Sequence, residues 1–231
     1  MSEHYQFAAD TGKILDIVID SLYSQKEIFL RELVSNASDA ISKRQFESLQ
    51  GEAAGSFDGL ISIAVDKKAK SLSITDNGIG LNEADLKSTL GTIASSGTKA
   101  FLEQMEQSGD KSTSQSQLIG QFGVGFYAAF MVAERAEVVS KKSDSDAAFC
   151  WASDGKTGFT ISAADKQDTG TMITLFLKSD AKEFLEEERI SHLIKKYSDH
   201  ISFPIQWLDK DGETKRLNAS TALWTKPAKD I

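Results

Sequence analysis

The sequence predicts an α+β fold: a two-layer sandwich in which a twisted, mixed but mostly antiparallel sheet is covered on one face by helices. Three observations carry that expectation. Short runs such as "LISIAV" and "SLSIT" alternate apolar and polar residues around the tight polar "DKKAK", as a β-hairpin does. Elsewhere apolar residues recur at helical spacing, above all in "IFLRELVSNASDAISKRQF". The strand-like runs are mostly joined as hairpins, which points to helices gathered on one face of the sheet.

The elements follow in order. An amphipathic segment from Ile14 to Leu22 leads into the first long helix, announced by Ser24 and Glu27 at the spacing of a capping box. After the hairpin, "DNGIGLNEADL" ends a strand at Asp76 and hands over to a helix from Asn82. Residues 91–120 are rich in Ser, Thr and Gly, with one plausible helix, "KAFLEQM", and a polar patch, "QSGDKSTSQSQ", that reads as mobile. The stretch "LIGQFGVGFYAAFMVA" then places Gly120, Gly123 and Gly125 directly before a run that reads as a buried helix. Strands are expected in "AEVVSK", "AFCWAS", "GFTISA" and "GTMITLFLK", one continuous helix in "KEFLEEERISHLIKKYSDHI", and a last strand in "PIQWL". Neither a repeat nor an internal linker divides the 231 residues, so one domain is expected over 1–231, with 218–231 as a tail.

Composition narrows the function classes. A net charge of -8 works against general attraction to nucleic acid or anionic lipid, so an anionic ligand must be held locally. The single cysteine, Cys150, makes no intrachain disulfide, and no Cys/His spacing suggests zinc. The start, "MSEHYQFAADTGK", lacks the pattern of a secretory signal, and the longest apolar run is too short to span a bilayer. A cytoplasmic protein that binds neither nucleic acid nor membrane is the expectation.

Three constellations carry possible chemistry. On the first helix Glu32, Asn36 and Asp39 stand at i, i+4 and i+7, within roughly 60° of one another beside the apolar stripe of Phe29, Leu33, Ala37, Ala40 and Ile41. They form either a solvated helix edge or a polar set that the fold or a ligand must satisfy. In "SITDNGIGL", Asp76 reads either as ordinary turn chemistry or as a carboxylate accepting from an exocyclic amine, with Gly80 allowing close approach. The third is "GQFGVG", whose converging N–H groups and following helix can hold phosphate without a basic residue, although glycines also precede helices for packing reasons. It is neither a Walker A loop nor a dinucleotide fingerprint.

In this order the three motifs resemble the ATP-binding domain shared by type II topoisomerases, sensor histidine kinases, mismatch-repair ATPases and the 90-kilodalton heat-shock chaperones. The likeness is closest to the bacterial chaperones of the high-temperature protein G type. It rests on "SLYSQKEIFLRELVSNASDA", "DNGIGL", "LGTIASSGTKAF", "IGQFGVGFYAAFMVA" and "YSDHISFPI", which together span most of residues 22–224.

The resemblance implies a nucleotide pocket between sheet and helices, taking ATP or ADP with Mg2+. Glu32 matches the general base, Asn36 the magnesium-coordinating residue and Asp76 the acceptor of the adenine amine. Asp39, Ala40, Ile79, Gly80, Leu81, Leu90, Phe126 and Thr171 match pocket-lining positions, with Thr171 supporting Asp76 through water. Residues 91–120 match a lid, and Gly120, Gly123 and Gly125 its phosphate-facing hinge. Two positions depart from the family: Ser95 stands where a lysine is usual, which leaves one charged nucleotide contact open, and Leu81 replaces a frequent methionine.

The resemblance further implies a full-length homodimer that acts on client proteins with co-chaperones, an arginine supplied by a following domain, and a monomeric, weakly hydrolysing isolated domain. Only His4 lies upstream as an acceptor for a kinase reading, and the acidic balance opposes a DNA-holding relative. A non-catalytic nucleotide-sensing interaction module is the remaining alternative. His192, His200, the run "EEER" and the three tryptophans read as surface, packing or core residues.

Overall fold

The computed structural model describes residues 25–50, 57–92 and 124–219, with the side chains of 49 and 50 excepted. The segments 14–22 and 93–120, Ser24, Gly120, Gly123, Ser95 and Trp224 therefore lie outside the described residues.

Helix α1 spans Ile28–Gln50 and buries Phe29, Leu30, Leu33, Val34, Ala37 and Ile41. Strands β1 (Ile61–Asp66) and β2 (Ser71–Asp76) form the expected hairpin, and Asp66 Oδ1 accepts from the N–H groups of Lys68 (2.8 Å) and Ala69 (2.9 Å) in its turn. Asn82 then opens α2 (Glu83–Asp85) through a reciprocal capping box with Asp85, and a π turn, Leu86–Leu90, continues it. A 3-10 helix, Gly125–Met131, leads into β3 (Ala133–Lys141), β4 (Ala148–Ser153), β5 (Phe159–Ala164) and β6 (Gly170–Leu177). A second 3-10 helix (Ser179–Leu185), α3 (Glu187–Tyr197), β7 (Ile205–Leu208) and β8 (Thr214–Arg216) complete the described chain.

The strands form one sheet in the order β5-β4-β3-β6-β2-β1-β7-β8, antiparallel throughout except for the parallel pair β1–β7. Side chains alternate across it. The inward row Ile63, Ile74, Ile173, Val138 and Trp151 follows from the register, and it belongs to the core with α1, the first 3-10 helix and α3. This is the expected α+β sandwich, with the sheet open at both edges.

Several elements differ from the sequence expectation. The run after Gly125 is 3-10 and not α: Phe126 to Phe130 are five consecutive buried residues, so packing on all sides sets its geometry and no amphipathic period does. The helix expected over 182–201 is broken at Glu186, which is extended (φ -97, ψ 128). Continuing the helical register from Phe184 and Leu185 would turn Glu187 and Glu188 inward; the break resets the phase so that Ile190, Leu193 and Ile194 are buried instead. Strand β8 was not expected, being three exposed residues beyond the Gly212 turn. Asn218, the first residue of the expected tail, is packed: its amide accepts from Ile205 N–H (2.9 Å) and donates to the carbonyls of Ile201 and Phe203 (3.0 Å each).

Glu27 accepts from Arg189 (2.7 Å), Lys196 (2.8 Å) and the Tyr197 hydroxyl, tying the start of α1 to α3; the capping box expected with Ser24 lies outside the described residues. In the run "EEER" Glu186 and Glu188 are exposed, as expected of a solvated face, and Glu186 pairs with Lys67 and Glu187 with Lys215 at the surface.

Candidate functional site

The site is assembled where α1 meets the ends of β2, β6 and β3. Along α1, Glu32 and Asn36 are half-buried and Asp39 is 2% exposed. Glu32 Oε1 accepts from its neighbour Arg31 at 3.0 Å (Nε) and 2.5 Å (Nη2). Its Oε2 faces Gly125, where a Cβ would lie only 2.6 Å away. The glycine thus lets the first 3-10 helix run against the carboxylate. The Asn36 amide makes no hydrogen bond among the described residues, which leaves its carbonyl oxygen available to a hard cation. Among the described residues no group of three or more His, Cys, Asp or Glu side chains could hold a metal by itself.

Further along α1, the loop after β2 clasps the helix. Ile79 N–H donates to the Ala40 carbonyl at 3.0 Å, and Gly78 packs so closely on Ala40 that a Cβ would meet its carbonyl carbon at 2.5 Å. Arg44 donates to the Asn77 carbonyl (2.7 Å), while the Asn77 side chain accepts from Leu60 N–H (2.8 Å) and donates to the Asp58 carbonyl (2.9 Å). On its other side the loop is tied to the end of β3 by Ser143 N–H to the Ile79 carbonyl (2.9 Å). Gly80, at φ 72, lies against the Lys141 carbonyl, where a Cβ would stand 1.9 Å away. Only glycine meets both demands.

Asp76, Thr171 and Ser140 form one inward cross-strand row on β2, β6 and β3, next to the apolar row of Ile74, Ile173 and Val138. All three are at most 6% exposed. Burial drives the Asp76 carboxyl up to about 7, against the opposing pull of the Gly78 and Thr171 backbone N–H groups. The Gly78 bond measures 2.8 Å. A carboxyl held near neutrality in an apolar surround is poised to pair with a donor that fits beside it.

Of the residues predicted from sequence, Ile79 meets Ala40, Gly80 lies against Lys141, Thr171 stands opposite Asp76, and Glu32 meets Gly125. Leu81 packs on the core, and the Leu90 carbonyl accepts from the Tyr127 hydroxyl (3.0 Å) beside Phe126. Phe126 makes an edge-on contact with Trp151 at 5.4 Å. Gly120 and Gly123 lie outside the described residues. A groove of about 430 Å³ lined by Arg135, Ser153, Asp154 and Phe159 shares no residue with this set. Sequence reasoning missed Ser140, Arg31 and Arg44; Ser140 had a signal, being the one polar residue in the inward phase of "AEVVS".

Residues 23–171 match the family model described as histidine kinase-, DNA gyrase B-, and HSP90-like ATPase. The chain belongs to this family. It is an ATPase domain, and nucleotide binding follows from that membership. Over 235 residues it is 53% identical to the chaperone protein HtpG of Roseobacter denitrificans, covering 100% of this chain and 36% of that protein. The HtpG of Rhodospirillum rubrum is 47% identical over 231 residues and that of Gluconobacter oxydans 48% over 235, with 99% and 100% of this chain and 37% of each relative covered. The ATPase domain thus spans little more than a third of these relatives, and it corresponds to the N-terminal part of the 90-kilodalton chaperones. No helix among its described residues is long and apolar enough to cross a membrane.

Proposed function

We propose that this chain binds ATP with Mg2+ between its sheet and helices, hydrolyses it, and gates client-protein folding in a longer cytoplasmic chaperone. The strongest support is the buried Asp76 carboxyl, set beside Thr171 and facing the helix that carries Glu32 and Asn36. In this reading Asp76 accepts from the 6-amino group of adenine. Asp39, Ala40, Ile79, Gly80, Leu81, Leu90, Phe126 and Thr171 line the pocket, and the backbone of Gly120, Gly123 and Gly125 meets phosphate.

Glu32 Oε2 takes the proton of the attacking water as the water oxygen bonds to the terminal phosphorus and the bond to ADP breaks. A base on a rigid helix holds that water in line. Asn36 would be the protein ligand to Mg2+, which supplies charge neutralisation for the phosphates and keeps most of its shell as water and phosphate oxygen. The Gly125 helix is a seven-residue 3-10 turn, so its dipole contributes less than a long α-helix would and the N–H groups themselves must do the holding. In the longer protein, residues 91–120 would close over nucleotide, the chains would pair as homodimers, and clients and co-chaperones would engage the whole. The isolated domain would be a monomer and a slow ATPase.

A sensing role without turnover draws on one observation, the engagement of Glu32 by Arg31. Calorimetric titration of the 231-residue chain with ADP and Mg2+ tests the pocket: stoichiometric binding is expected, and its absence sinks the reading. Glu32→Ala in the longer protein separates the two roles, keeping binding and losing turnover if Glu32 is the base.

A further inference from the structure

Ser140 is the most enclosed polar side chain of the site, with 0% exposure. Its hydroxyl has three polar neighbours: Leu81 N–H at 2.8 Å, the Thr171 hydroxyl at 2.8 Å and the Gly170 carbonyl at 3.2 Å. The amide can only donate, so it occupies one lone pair of Ser140. The single Ser140 proton then has two acceptors, of which Thr171 is the nearer. A proton placed there fills a lone pair of Thr171 and turns that residue's own proton away from Ser140. With the proton so placed the bonds run Leu81 N–H to Ser140 to Thr171, each polarising the next; in the reverse arrangement Ser140 donates to the Gly170 carbonyl and Thr171 spends its proton on Ser140.

Thr171 stands directly opposite Asp76. We propose that Ser140 is a positioning residue for base recognition, fixing the Thr171 hydroxyl as a donor beside the Asp76 acceptor. That acceptor–donor pair matches the 6-amino group and N1 of adenine, whether the hydroxyl reaches N1 directly or through one water. It is the inverse of hypoxanthine, which presents a 6-oxo acceptor and an N1–H donor. Selectivity for adenine over a 6-oxopurine therefore depends on a side chain that does not touch the base. This inference rests on the adenine-pocket reading above.

The test is calorimetric titration of the 231-residue chain with ADP and with inosine diphosphate, at fixed Mg2+ and pH. Native chain, Ser140→Ala, Ser140→Thr and Thr171→Val are compared, with circular dichroism to confirm folding. The native chain should prefer ADP. In Ser140→Ala the Thr171 hydroxyl is released to act as donor or acceptor, so ADP should weaken about tenfold while inosine diphosphate changes little. Ser140→Thr keeps the hydroxyl and should restore the preference. Thr171→Val should contract the preference as far as Ser140→Ala does, and the double variant should go no further.

Equal weakening of both nucleotides in Ser140→Ala, or an unchanged preference, overturns the role. If Ser140→Ala does not fold, an unchanged preference in Thr171→Val overturns it equally. A native chain that binds neither nucleotide brings down the pocket reading and this inference together, a result distinct from a native preference that survives Ser140→Ala.

Discussion

Replacing Asp76 by Asn should change how the stability of this domain depends on pH. Asp76 moves from an ordinary 3.8 to about 7 on folding, chiefly through burial. The folded state therefore binds this proton more tightly than the unfolded chain does, so between those two values stability falls as pH rises. Below 3.8 the side chain is neutral in both states and exerts no drag; above 7 the penalty is complete. Integrating the linkage between about pH 5 and about pH 8 gives a loss of about 2 to 3 kcal/mol from this one group. Asn retains an oxygen for the Gly78 N–H and does not titrate, so its curve should lack that slope. Any constant offset, such as a less favourable partner for the Thr171 N–H, cancels when the difference between variant and native is compared across pH. Urea unfolding followed by the fluorescence of buried Trp151 and Trp207, without nucleotide, supplies the measurement. The Asp76→Asn variant should gain about 2 to 3 kcal/mol on the native chain across that interval. Parallel curves would refute the account of a buried, largely neutral carboxyl. Saturating ADP should raise the stability of the native chain and leave that of the variant nearly unchanged.

Gly125→Ala places a methyl 2.6 Å from Glu32 Oε2, so ATP turnover in the longer protein should fall at least about tenfold in a phosphate-release assay. Gly170→Ala forces a side chain onto φ 126 and to within 2.1 Å of the Asp76 carbonyl, and should destabilise by about 2 to 4 kcal/mol in urea titrations. Glu27→Gln should cost about 1 to 2 kcal/mol near neutral pH by loosening α1 from α3. Glu27 sits at about 2 in the folded state, its partners Lys196, Tyr197 and Arg189 favouring the charged form, so its contribution is full above 4.5 and is lost as pH falls towards 2. The gap between Glu27→Gln and native chain should close over that same interval in acid titrations.

What could be read from the sequence was whatever depends on local period and local turn chemistry. The β1–β2 hairpin, α1 and the handover from strand to helix at Asn82 follow from alternation, apolar spacing and turn chemistry, and each is found. The break at Glu186 escaped because "KEFLEEERISHLIKKYSDHI" has good helix formers throughout; only the three-dimensional demand to bury both Phe184 and Ile190 sets the phase shift. The β1–β7 pairing escaped because no local signal specifies which distant strand lies beside β1. In the site, Glu32, Asn36 and Asp39 share a helix and could be grouped by spacing, whereas Asp76, Thr171 and Ser140 are joined only by the register of three strands. Thr171 therefore came through family resemblance alone. Ser140 could have been flagged by its inward phase, but its partners could not.

On the proposed reading, the polar row would let an acidic chain hold a polyanion. With a net charge of -8, long-range attraction cannot recruit a nucleotide, so binding must arise from contacts that work at short range. A base-reading carboxyl on the surface would keep its ordinary ionisation and add to the repulsion. Buried at about 7, Asp76 carries only part of its charge at neutral pH and still offers oxygen to an amine. Its burial penalises the empty domain most at alkaline pH, where a bound amine donor relieves the most. The advantage of ADP over a nucleotide lacking the 6-amino group should therefore widen from about pH 6 to about pH 8. A preference that is flat over that range would mean that Asp76 does not face the base.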